Sequence, residues 1–238
     1  EDIFGDSIGG VEQHIYHIAK ELANNGKHIT IISLKVGKAS SRQSEIIFNS
    51  KGSVTLIKIV KKNLLLWPLK FFEKYVTGKG GMLVAFSGKL LPNLHFWTLI
   101  KEVRLVSPDF VHQHDYLANI VASKILSKKI PVFFTNHTGQ YLFLEKYPLT
   151  RRVQKWLISH YTAIIGPSSE LTPNDSRSTY ISNGVDVEFF HREDVVVEEE
   201  RIVFICPRRW APTKGVLYLA RALLLLDFDH QQKMKVLF

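Results

Sequence analysis

The sequence predicts an α/β protein built on a doubly wound, mainly parallel sheet. Three observations carry that prediction. Short apolar segments rich in β-branched residues recur along the chain, and amphipathic segments of helical period lie between them. Turn residues punctuate the alternation, so parallel strands joined by crossover helices are the simplest solution. The 238 residues suffice for one large domain, or for a domain and part of another. A chain of this size hides roughly 70–75% of its unfolded surface. Apolar residues at 45% and charged residues at 22% are globular values. They exclude disordered, collagenous and low-complexity readings.

Val11, Ile15, Ile18, Ala19 and Leu22 recur at helical spacing and predict a helix over 11–25, closed by Gly26 as a left-handed cap. HITIIS at 28–33 reads as a buried strand and 54–60 as a second. Residues 61–100 are apolar and basic, partly helical, with Pro68 and Pro92 as breakers. The alternation resumes with a strand at 110–112, a helix at 117–126, a strand at 131–135, a helix at 153–161 and a strand at 162–166. Ser168–Leu171 (SSEL) reads as a helix N-cap followed by an acid. A short strand at 180–181 is ended by the turn dipeptide Asn183-Gly184. An acidic connector follows, then a strand at 201–206, a helix at 215–226 and a last strand from 235. A fresh strand–loop–helix unit after the connector places a domain boundary near 183–200.

Lys and Arg outnumber Asp and Glu by 31 to 22, a net charge of +9. Such a balance suits an anionic partner, or serves solubility alone. The stretch 58–101 is lysine-rich, carries Glu73 as its only acid, and interleaves aromatics such as Trp67, Phe71, Tyr75 and Trp97. That mixture suits a lipid headgroup surface, and equally single-stranded nucleic acid or an inward-packed flank. The single cysteine, Cys206, cannot form an internal disulfide, and no apolar run reaches the roughly 18–20 residues of a spanning helix. The sequons at Asn136 and Asn174 read as chance.

Three groups of residues could carry chemistry. Gly9-Gly10 directly precedes the first helix, whose leading N–H groups form an anion site. Arg208, Arg209 and Lys214 lie between a strand and a helix, at the sheet edge where such folds bind ligands. The pattern is not a Walker loop, because Gly215 follows the lysine. His112 and His114 end one strand and His137 another, on one edge of a parallel sheet, as a candidate cleft. Two of them would serve a metal, but no Asp, Glu or Cys set has ligand spacing, and no metal is expected.

The ordered stretches GGVEQHIYHIAKELANNGKHITIIS, PDFVHQH, VFFTNHTG, AIIGPSSEL, ISNGVDVEFF and RIVFICPRRWAPTKGVLYLARAL span Gly9 to Leu226. Together they resemble the retaining, nucleotide-sugar-dependent glycosyltransferases of the GT-B fold, of the family 4 or group 1 type. The resemblance implies an acceptor-side, Rossmann-like domain over 1–182, lacking its first strand, and the start of a nucleotide-sugar domain over 183–238. It implies that His137 stands near the transferred sugar and that Gly9 and Gly10 approach the donor diphosphate or the acceptor. Arg209 and Lys214, with Arg208 where the family has glycine, would neutralise the diphosphate without a metal or other cofactor. The family's paired glutamates would fall after Phe238, so the chain reads as a piece expected to be inactive alone. The implied partners are a nucleotide sugar and a sugar, lipid-linked or small-molecule acceptor, not nucleic acid. The expected location is cytoplasmic, with peripheral contact to the inner face of the membrane through 58–101. Two alternatives stay open: a nucleotide-sugar epimerase on the same fold, and a non-catalytic basic binding module.

Overall fold

A computed structural model of the chain describes residues 9–63, 68, 71, 75, 88–114, 116–137, 145, 147–188, 191, 202–207 and 215–237. The chain divides into two units, Glu1–Gly184 and Val185–Phe238.

The first unit opens with helix α1 (Gly10–Asn24). Its alanines let it lie close on a sheet: Ala19 and Ala23 are buried against Val54, with Ile29, Ile31, Ile47 and Phe48 around them. The helix ends as the sequence predicts. Gly26 takes φ +79°, its N–H donates to the Ala23 carbonyl at 3.0 Å, and the Lys27 N–H donates to Leu22 at 3.0 Å. These two bonds satisfy carbonyls that the helix leaves free, and a left-handed residue is needed between them.

Strands β1 (His28–Gly37), β2 (Ser41–Asn49) and β3 (Ser53–Lys62) form a sheet in the order β1-β3-β2. β1 runs parallel to β3, and β2 runs antiparallel to it with a bulge between Ile46 and Phe48. β2 has no counterpart in the sequence reading. Its segment SRQSEIIFN is polar over most of its length, so the period-2 apolar signal that marks a half-buried strand is missing.

A 3₁₀ turn (Leu91–His95) leads into helix α2 (Phe96–Val106). Then follow β4 (Val111–Gln113), α3 (Ile120–Leu126), β5 (Val132–Thr135), α4 (Pro148–Ile158), β6 (Ala163–Gly166) and β7 (Ser178–Tyr180). The four strands pair in chain order β4-β5-β6-β7, every pair parallel. This is the parallel α/β arrangement that the alternation predicts. Its core joins Ile100 and Val103 of α2 with Val132, Phe134, Ile158, Tyr161 and Ile164. Ile32 and Leu99 pack against both this core and the patch of Leu34, Ile57 and Ile59, so α2 ties the two sheets together.

Three expectations need correction. The helix placed over 153–161 begins earlier, at Pro148, a residue preorganised for a first helical turn. Ser168–Leu171 starts no helix; the Ser168 Oγ accepts from the Leu171 N–H at 3.3 Å and closes a turn instead. Asn183-Gly184 forms no turn, and positive φ among the described glycines belongs to Gly26 and Gly215.

In the second unit, β8 (Ile202–Ile205) pairs parallel with β9 (Met234–Leu237). Helices α5 (Val216–Leu223) and α6 (Phe228–Gln232) connect them. Asp227 caps α6 by accepting from the His230 N–H at 2.9 Å. Among the described residues of this unit, Val216 alone is buried.

Candidate active site

Parallel pairing sets His112 beside Phe133 and Gln113 beside Phe134. The residues that follow each strand therefore leave the sheet at the same edge. His114 follows β4, and Asn136 and His137 follow β5. Asn136 is fully buried; its backbone N–H donates to the Ile165 carbonyl and its side-chain amide to that of Leu171, both at 2.9 Å. It fixes the chain just before His137, and its burial agrees with reading the sequon there as chance.

The histidines meet. The His114 Nδ1 and His137 Nε2 lie 3.1 Å apart, with the rings stacked at 18°. The His112 ring centre is 4.1 Å from that of His114, and its Nε2 is hydrogen-bonded to the Thr135 hydroxyl at 2.8 Å. A fourth histidine closes the group. His14, from α1, stands edge-on to His137 at 4.7 Å and to His114 at 5.8 Å between ring centres. One nitrogen from each of His14, His114 and His137 can be chosen so that all three lie within 4.8 Å of one another. The sequence reading missed His14, and with it this cluster. A helical pattern does not tell which polar residue overlooks a sheet edge about a hundred residues away in sequence. The available signal was its place one turn after Gly10.

Burial dominates the electrostatics. It pushes the imidazolium pKa of His112 and His137 down to about 4 and that of His114 to about 2, and it lowers His14 as well. For all but His14, the neighbouring imidazoles lower it further. At neutral pH the cluster is therefore a set of uncharged rings, each with one donor and one acceptor nitrogen. Such rings suit sugar hydroxyls.

Gly9 and Gly10 lie at the start of α1, the helix that carries His14. Gly9 is extended, at φ −103°, and Gly10 is helical, so neither is held for a left-handed conformation. A Cβ on Gly9 would press on the Glu12 carboxylate, whereas one on Gly10 would meet no atom within 4 Å. Among the described residues no side chain caps the helix. Arg208, Arg209 and Lys214 lie outside the described residues; Gly215, directly after them, takes φ +76°.

A parallel, Rossmann-like α/β sheet is the building block of GT-B glycosyltransferases. The sequence profile of Glycosyltransferase Family 4 matches residues 8–189, most of the chain, and the chain belongs to that family. No curated protein matches it.

Proposed function

We propose that the protein transfers a sugar from a nucleoside-diphosphate donor to a hydroxyl acceptor, with retention at the anomeric carbon and without a metal at the diphosphate. The observation that carries this reading is the meeting of α1 with the edge of β4 and β5, which brings His14 to His114 and His137, with His112 packed on His114. In this reading residues 1–182 form the acceptor side and 183–238 open the donor side.

The acceptor oxygen forms a bond to the anomeric carbon as the bond from that carbon to the diphosphate breaks, and the acceptor's proton is released. Negative charge grows on the departing diphosphate. In this reading the cationic side chains of Arg208, Arg209 and Lys214 neutralise it. His137 is the hydrogen-bonding group at the transferred sugar, and its neutral ring avoids adding a proton to a centre that must stay reactive. His114, hydrogen-bonded to it, orients it, and His112 packs against His114.

Turnover of common nucleotide sugars by the full-length protein tests the proposal. Transfer is expected, falling roughly 10²–10³-fold in His137→Ala, the loss typical of removing one aligned donor. Neither transfer nor donor hydrolysis with any donor would overturn it.

We also place the acceptor at a membrane surface, with the protein cytoplasmic and peripheral. The supporting observation is a set of exposed apolar side chains, Phe71, Tyr75, Leu94 and Trp97, in the segment that carries exposed Lys62 and Lys89. Trp97 is 63% exposed, unusual for that residue unless something covers it. Among the described residues no helix is long and apolar enough to cross a membrane.

A further inference from the structure

We propose that His14, His114 and His137 form a binding site for a borderline divalent transition cation, Zn²⁺ being the reference ion. This goes beyond sugar transfer and does not rest on it. Three imidazoles arrive from three separate elements: α1, the end of β4 and the end of β5. Their ligand atoms lie within 4.8 Å of one another, and His114 Nδ1 approaches His137 Nε2 to 3.1 Å. Ligands of a tetrahedral zinc at about 2.0–2.1 Å sit about 3.3 Å apart, so small side-chain rotations close the set on one ion. No backbone element has to move.

The donor set chooses the ion. Nitrogen ligands without a carboxylate suit Zn²⁺, Co²⁺, Ni²⁺ or Cu²⁺, whereas Mg²⁺ and Ca²⁺ need oxygen. Three protein ligands leave one tetrahedral position for water or a hydroxyl. Burial keeps the rings in the unprotonated form that ligates, so protons compete little at neutral pH. His112 is not among the three; it is turned to Thr135. A bound ion would pin α1 to the sheet edge and occupy His137, so it would compete with a sugar for that ring.

The test reads binding, not activity. The untagged full chain is stripped with a chelator and titrated with Co²⁺ and then Zn²⁺. One ion per chain is expected, with the visible absorption of tetrahedral cobalt, its displacement by zinc, and a higher Tm. His14→Ala changes one side chain on a helix and substitutes the best helix former, so the fold persists. It should weaken binding by at least about 100-fold, the upper end of what even an outer ligand partner is worth. His114→Ala should do the same, with circular dichroism reporting its fold. His17→Ala, exposed on the same helix, should leave binding unchanged. No stoichiometric binding by the native chain, or native affinity in His14→Ala, would overturn the proposal.

Discussion

At the scale of single residues, the four clustered imidazoles are held uncharged by burial, and this has a sign for stability. An unfolded histidine takes its proton near pH 6.5, whereas folded His112 and His137 do so only near pH 4. His160, half-buried and hydrogen-bonded to Ser123 at 2.9 Å, behaves alike. Between those values the unfolded chain holds more protons than the folded one. Stability is therefore full above about pH 6.5 and falls as pH drops toward 4. Urea unfolding midpoints at pH 7.5, 5.5 and 4.5 should decline in that order, and equal midpoints would refute the account. His112, His114 and His137 were legible in the sequence because each lies at or just past the end of a strand segment, and strand ends of parallel sheets share an edge. His14 was not, because its role comes from tertiary packing of α1 alone.

At the scale of elements, Arg177 holds the turn into β7. Its Nε and Nη2 donate to the two Asp175 carboxylate oxygens at 2.8 Å, and its Nη1 donates to the Ser159 and Tyr161 carbonyls at 2.8 and 2.9 Å. One guanidinium thus links the end of α4, the entry to β6 and the approach to β7. Arg177→Ala should cost about 2 kcal/mol, the range for hydrogen bonds to a charged group at a partly exposed site. Arg177→Lys should recover only part, since an ammonium lacks the fork. The Arg177 hydrogen bonds hold the Asp175 pKa down at about 2. The contribution of Asp175 is therefore present above about pH 4 and lost as pH falls toward 2. Thermal unfolding of the Asp175→Asn variant and the native chain should differ at pH 7 and converge near pH 2. Most elements were visible beforehand because their apolar periodicity is strong. β2 escaped because its place is set by pairing with β3: Arg42 on it makes a two-bond ion pair with Glu102 of α2, and Glu45 pairs with Lys58. These are contacts between polar residues, which composition alone does not order.

At the scale of the whole molecule, the surplus of +9 charges and the exposed aromatics of 58–101 act together if the acceptor is membrane-borne. Sedimentation with anionic phospholipid vesicles should capture the protein at low salt. Capture should fade above about 0.2 M NaCl, as the screening length shrinks below about 8 Å. Lys61→Glu with Lys62→Glu should weaken capture without lowering the unfolding temperature. Vesicles of zwitterionic lipid alone should capture little, and no capture by anionic vesicles would sink the membrane assignment. The fold class was legible because alternation of strand and helix is a property of the entire string. Which side chains stay uncovered was not, because coverage is decided by contacts between distant elements.

The outer strand β2 has one further consequence. It ends its sheet with a polar face, a bulge and charged Arg42 and Glu45 along its length. A flat, apolar border would invite strands of other molecules to add on and grow a fibre. This border is kinked and charged, so it is a poor template, and the chain can be crowded without polymerising along that side.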